Sequence, residues 1–313
     1  MNKLGRGAFK GRLLRLILIL TLGMLLSCGK AEDPYPGVFK FGVISDPHLY
    51  DSSLGLSGEA FDAYLESDVK MLAESEHILK AAVDEIRKEF PPPSFVVMPG
   101  DLTKDGEYES HRLMVSYLSL LKDSGIAVYV VPGNHDVQNP EAARYGEQGT
   151  IPVLSPGPQV FSDIYMEFGY GEALYRDTES LSYVAEPVPG LWLFVIDTCR
   201  YSENMGKAVT GGKIGALTLE WILSLLEKAR AMGKTAVGVM HHGIVEHFIG
   251  HAEYFPDYIL EDWDRVGHEL TKAGMKLTFT GHYHTQNITK MIWNDGTSLI
   301  EIRNRSRAIV API

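Results

Sequence analysis

Five short stretches of this 313-residue chain place metal-ligating or proton-moving side chains directly after apolar runs. They are Asp46-Pro47-His48 after Val38 to Ser45, Gly100-Asp101 after Phe95 to Met98, and Gly133-Asn134-His135-Asp136 after Ile126 to Val131. His241 follows Thr235 to Met240, and Gly281-His282-Tyr283-His284 follows Lys276 to Thr280. Each alone has an ordinary explanation: Pro-Gly-Asn and Gly-Asp are turn chemistry, and a loop histidine is usually just solvated. Together they are less ordinary, because five of the 11 histidines stand at these points. Carboxylate, imidazole and amide donors in one set suit borderline divalent cations such as Mn, Fe or Zn better than Ca or Mg.

Donors scattered over 240 residues need elements that bring them together. The stretch from Glu59 to Phe90 has apolar residues at helical spacing (Leu72, Leu79, Val83 and Ile86 among them) and stops at Pro91-Pro92-Pro93. A second helix is predicted over Gly106 to Ser124. The series is β–α–β–α–β, which predicts an α/β fold with a largely parallel sheet flanked by helices. Strand C-termini in such a sheet share one edge, where open α/β sheets hold their sites. From Val137 to Glu186 the pattern is irregular and aromatic-rich, and reads as an excursion over the site, with a helical piece near Phe161 to Phe168 and a strand near Ser180 to Ala185. Further strands follow at Leu191 to Ile196, Thr235 to Met240 and Lys276 to Thr280, with helix Thr218 to Met232 and a mainly helical span Asp257 to Ala273 between them. Ile288 to Trp293 and Ser298 to Ile302, around Asn294-Asp295-Gly296, have a hairpin signature.

The N-terminus reads as a sorting signal. Lys3, Arg6, Lys10, Arg12 and Arg15 precede the uncharged run Leu16 to Leu26, too short to span a bilayer as a helix and suited to a signal-peptide core. Its end, Leu25-Leu26-Ser27-Cys28, resembles a bacterial lipoprotein signal, which implies lipidation of Cys28 and an exported, membrane-anchored protein. The domains expected are a signal peptide at 1–27, a tether at 28–37 and one catalytic domain at 38–313. Besides Cys28 there is only Cys199, so no internal disulfide follows lipidation; Cys199 reads as a buried small hydrophobe. Removing the five basic residues of the signal leaves 24 Lys and Arg against 40 Asp and Glu, a net charge near −16. Such a surface disfavours nucleic acid as a partner. An anionic substrate would need cations concentrated at the site.

The ordered set Asp-x-His, Gly-Asp, Gly-Asn-His-Asp, a strand-terminal His and Gly-His-x-His resembles the calcineurin-like metallophosphoesterase family over about residues 38 to 290. Gly100-Asp101-Leu102-Thr103 and Val131-Pro132-Gly133-Asn134-His135-Asp136 are similar to the branch holding class III cyclic-nucleotide phosphodiesterases and glycerophosphodiesterases. The resemblance implies a four-layer α/β/β/α sandwich with two divalent metal ions. Carried over by motif, Asp46, His48 and His284 would bind the first metal, Asp101 would bridge, and Asn134, His241 and His282 would complete the second. His241 is taken over His242 because the family ligand is the first His after the strand.

His135 lies next to a ligand and is not needed as one, so it is the candidate acid for the leaving alkoxide. Asp136 has two readings, as the group that fixes the His135 tautomer or as a helix N-cap. Arg200 reads as a surface charge rather than a phosphate contact, and His247 and His251 as solvated loop histidines rather than lining of the substrate pocket. The expected activity is hydrolysis of a small phosphodiester, with a cyclic nucleotide or a glycerophosphodiester as candidate substrate. A phosphomonoesterase or nucleotide pyrophosphatase on the same site and a non-catalytic surface binding lipoprotein are the alternatives. The basic end Arg303-Asn304-Arg305-Ser306-Arg307 finds no role in the sequence.

Overall fold

Strands β1 (Lys40–Ile44), β2 (Phe95–Pro99) and β3 (Ala127–Val131) run parallel, joined by helices in the order the apolar periodicity predicts. The structure is a computed structural model that describes residues 39–67, 70–304 and 308–312. The expected signal peptide, Cys28 and the tether lie outside the described residues.

β2 is buried along its whole length, which is why its sequence is a continuous apolar run rather than an alternating one. Helix α1 (Glu59–Ser67) is separate from α2 (Ser75–Lys88), so the single helix expected over Glu59 to Phe90 is two. The cause is tertiary. Leu72 is buried in an aromatic cluster with Tyr50, Phe61 and Tyr145, and the Ser75 hydroxyl donates to the Leu72 carbonyl while accepting from the Tyr50 N–H. Helix α3 (Tyr108–Asp123) leads into β3.

The excursion contains a hairpin that periodicity did not reveal, β4 (Ala143–Gly146) with β5 (Gly149–Pro152), then helix α4 (Pro158–Ile164) and the short strand β6 (Tyr175–Arg176). A second sheet follows: β7 (Tyr183–Val188), β8 (Leu191–Ile196), helix α5 (Ala216–Ala231) and β9 (Thr235–Met240). Helices α6 (His251–Tyr254) and α7 (Trp263–Ala273), then β10 (Leu277–Thr280), β11 (Asn287–Ile292) and β12 (Ser298–Arg303) complete it. β8, β9, β10 and β12 are parallel, while β7 and β11 are antiparallel additions. The last strand, β13 (Ala308–Pro312), returns to the first sheet and pairs antiparallel with β1, a partner the basic end concealed.

The strand orders are β13-β1-β2-β3 and β11-β12-β10-β9-β8-β7-β6. The sheets pack face to face, with Phe41 edge-on to Phe279 at 5.2 Å and the Tyr183 hydroxyl donating to the Val130 carbonyl at 2.9 Å. Helices cover the outer faces; Ile222, Leu226 and Leu270 pack on Trp192, Phe194 and Met240. This is the expected α/β/β/α sandwich.

Candidate metal centre

The turns that follow β1, β2 and β3 in one sheet meet those that follow β9 and β10 in the other. The donors therefore converge across two sheets rather than along the edge of one. His48 Nε2 lies 3.0 Å from His284 Nε2 and 3.5 Å from Asp101 Oδ2, and His284 Nε2 lies 3.7 Å from Asp46 Oδ1. His241 Nε2 is 3.0 Å from Asn134 Oδ1 and 3.4 Å from Asp101 Oδ2. Donor atoms of Asp46, His48, Asp101 and His284 all fall within 4.8 Å of one another, as do those of His241, His242 and His282. All seven ligand candidates from the sequence are thus brought together, with Asp101 between the two groups.

Backbone conformation concentrates here. Seven described non-glycine residues have positive φ, and five of them are Asp46, His48, Asp101, His282 and His284. Such conformations cost about 1–3 kcal/mol each and persist only where the surroundings over-determine them. Here Asp46 Oδ1 accepts from the His282 N–H at 2.8 Å, and the His48 N–H donates to the Asp101 carbonyl at 3.1 Å. Two motif glycines give the room: a Cβ on Gly281 would lie 2.6 Å from Asp46 Oδ2, and one on Gly133 would run into the Asp101 carboxylate.

His241 and His242 are both fully buried, and their hydrogen bonds separate them. His241 Nδ1 donates to the Pro99 carbonyl at 2.9 Å, which leaves the Nε2 lone pair facing Asn134 and Asp101. His242 Nε2 donates to the Thr210 carbonyl at 2.8 Å, and its Nδ1 accepts from the Thr198 hydroxyl at 2.7 Å. With both nitrogens engaged, His242 has no lone pair left for a cation, although it stands within reach. His282 Nε2 donates to the Asp257 carbonyl, so Nδ1 is its free donor atom.

The electrostatics fit a bound cation. Burial holds His48 and His282 well below the usual imidazole range, so their lone pairs are available. Burial would lower His241 too, yet Asp101 and Asp46 push it up to about 9, which says that this point attracts positive charge. Burial would raise Asp101, but His241, His135 and His48 outweigh it and hold it well below the carboxylate range. Among the described residues the Nδ1 of His48 is buried without a partner. Mixed oxygen and nitrogen donors at this spacing fit divalent cations of the Mn, Fe or Zn kind.

His135 stands beside this ring, its imidazole 5.1 Å from that of His48 and partly open. Its Nδ1 bonds Asp105 Oδ1 at 2.7 Å, and its Nε2 lies 3.4 Å from Lys70 Nζ. Lys70 lies in the chain between α1 and α2.

Asp136 does neither of the two things expected of it. It accepts from the N–H groups of Gly133 (2.8 Å), Leu102 (3.0 Å) and Thr103 (2.9 Å) and from the Thr103 hydroxyl (2.9 Å), and no helix starts at it. The turn at Gly133 points this carboxylate back under the Asp101 loop, away from the His135 ring. The orienting carboxylate is Asp105, which sequence reading missed. The available signal was an acid four residues past Asp101 in an otherwise polar turn. Asp105 in turn holds Lys104, whose ammonium is buried over Tyr64 at 4.7 Å and Tyr145 at 5.6 Å.

The loop histidines are a second correction. His247 is buried with Nε2 on Glu301 Oε1 at 2.7 Å, and His251 is fully buried, so neither is solvated. Arg200 is a surface charge as expected, bonded to Glu203 and 3.7 Å from Glu261.

Residues 39–286 match the family model described as Calcineurin-like phosphoesterase, and the chain belongs to that family. That family is one of phosphoesterases, and two clusters of histidine and carboxylate donors in this chain could hold metal ions. It is 24% identical over 225 residues to Sphingomyelin phosphodiesterase 2 of Caenorhabditis elegans, a match covering 66% of this chain and 34% of that protein. The chain thus spans about a third of the length of that curated relative. Among solved structures it is similar to a dimetal phosphatase from Danio rerio, with a TM-score of 0.60 and 16% identity over 88% of this chain and 92% of the other.

Proposed function

We propose that the chain hydrolyses phosphodiesters at a centre of two divalent cations. Asp46, His48 and His284 would hold one, Asn134, His241 and His282 the other, and Asp101 would bridge them. Bound cations of this kind activate a water as nucleophile and neutralise the phosphoryl oxygens. The protein's own part is to fix the donors by the backbone bonds described above and to deliver a proton to the leaving alkoxide. His135 is the group for that step. Asp105 on Nδ1 orients the ring and favours its protonated form against the opposing charge of Lys70, and Nε2, 3.4 Å from Lys70 Nζ, is the nitrogen that would carry the proton to the leaving group.

The single observation that carries the reading is the convergence of the seven donors with His135 beside them, oriented through Nδ1. The nematode relative is itself named a phosphodiesterase. Candidate substrates are a cyclic nucleotide, a glycerophosphodiester or a lipid phosphodiester.

The test compares bis(p-nitrophenyl) phosphate with p-nitrophenyl phosphate in Mn buffer. Faster diester turnover is expected, and faster monoester turnover would replace the reading with a phosphomonoesterase. We also propose export and lipidation at Cys28, supported by the residue pattern of 1–28; labelled palmitate incorporated into the chain and absent from Cys28→Ser is the expected result.

A further inference from the structure

An apolar track leads away from the donor ring. It begins at Tyr258, whose ring lies 4.9 Å from that of His282, and continues to Tyr283 at 5.2 Å from Tyr258. Phe255 is next, 5.8 Å from Tyr283, and Phe248 lies 6.0 Å from Phe255 and 6.2 Å from Tyr283. The track ends at Ile249, which is 99% exposed. Phe248, Phe255 and Tyr258 are each about two-fifths exposed, at 41%, 42% and 38%. These are side chains that folding normally covers, gathered on one loop that borders the chemistry.

The track has a built backing. The Arg303 guanidinium sits 4.8 Å from the Tyr283 ring centre, and the buried His251 ring stacks edge-on to Tyr283 at 5.2 Å. Its position is set by the site itself, since the Asp257 carbonyl beside Tyr258 accepts from His282 Nε2. Its charge is also informative. From Lys234 to Arg265 the chain has no lysine or arginine in between, while Glu246, Glu253 and Asp257 lie on the loop. The Arg303 cation behind Tyr283 is 1% exposed and lies 3.9 Å from Glu301, so the loop offers a ligand an apolar surface rimmed by carboxylates.

We propose that this track takes an apolar arm of the substrate, so that the chain acts on amphiphilic phosphodiesters in which one esterified alcohol is a hydrocarbon chain. The inference rests on the diester reading and narrows it to a substrate class. Phosphate at the donor ring leaves one ester arm facing His135 and lays the other along Tyr258, Tyr283, Phe255 and Phe248. Each methylene fully buried on such a surface strengthens binding by about fourfold. A half-open track should then give at least about a tenfold gain over a chain of eight carbons.

The experiment uses the full chain in Mn buffer with p-nitrophenyl methyl, butyl and octyl phosphates below their micellar concentrations. In the natural sequence kcat/KM is expected to rise at least about tenfold from methyl to octyl. Phe248→Ser and Phe255→Ser are expected to lose most of that rise while turning over the methyl ester at the natural rate. A flat series, or a rise untouched in both variants, overturns the inference. Calorimetric binding of methyl and octyl methylphosphonates runs beside it. If no ester is turned over, the diester reading fails by itself, and the calorimetry then decides: tighter binding of the octyl compound, reduced in Phe248→Ser, upholds the track, and equal binding overturns it.

Discussion

Replacing Asp105 with Asn tests the least expected feature of the site. The substitution keeps the shape but removes the charge that faces His135 Nδ1 at 2.7 Å. An amide can turn its NH2 toward Nδ1, which favours the neutral ring. Loss of such an orienting carboxylate costs about 10–100-fold. That range agrees with about 1.5–3 kcal/mol for a hydrogen bond to a charged group. The loss should depend on the leaving group. An alkoxide cannot depart without a proton, whereas p-nitrophenolate needs little help. The assay is therefore a pair: kcat with a dialkyl phosphate and kcat with bis(p-nitrophenyl) phosphate, at matched metal content. Asp105→Asn should lower the first by about 10–100-fold and the second by less than about fivefold.

The same substitution leaves the buried Lys104 with Glu107 at 3.9 Å as its remaining carboxylate, so thermal stability must be followed in parallel. Equal losses on both substrates in a folded, metal-loaded protein would refute the role given to His135 and Asp105. An unchanged dialkyl rate would do so as well.

Glu107 is buried beside Asp105, and burial pushes its carboxyl up to about 7. The native state then keeps a proton that the unfolded chain releases near pH 4.5, so stability falls as pH rises from about 4.5 to 7 and stays reduced above it, by roughly 3 kcal/mol. Glu107→Gln should remove that slope, and the Tm gap over the natural protein should widen between pH 4.5 and 8 in calorimetry; a constant gap would contradict the assignment. Asp136→Ala strips the acceptor from three buried N–H groups and should cost about 3 kcal/mol or more in denaturant unfolding. If Asp136→Ala were as stable as the natural protein, its role as a loop clasp would be wrong. His241→Ala should lose bound metal by elemental analysis while His242→Ala keeps it, because only His241 has a nitrogen facing Asn134 and Asp101; the reverse result would exchange the two histidines.

Chemistry and fold class were legible in the chain because both are written locally. An apolar run that ends in Gly-Asp or Gly-Asn-His states both a buried strand and a polar turn, and nothing distant is needed to read it. The seven donors, the parallel strands and the helices between them follow from that local grammar. The break at Leu72, the hairpin at Ala143 and the return of the tail to β1 were not legible, since each depends on a partner far away in sequence. The same reason separates Asp136 from Asp105. Adjacency along the chain suggested that Asp136 orients His135, but a turn sends neighbouring side chains in different directions, and Asp136 points down into the Asp101 loop. His247 and His251 look like solvated loop residues until Glu301 on β12 and Tyr283 in the turn after β10 close over them. Which residue types could do the chemistry was a property of the sequence alone. Which of their atoms face one another was decided by two sheets meeting, because direction belongs to the packed backbone and not to the order of residues.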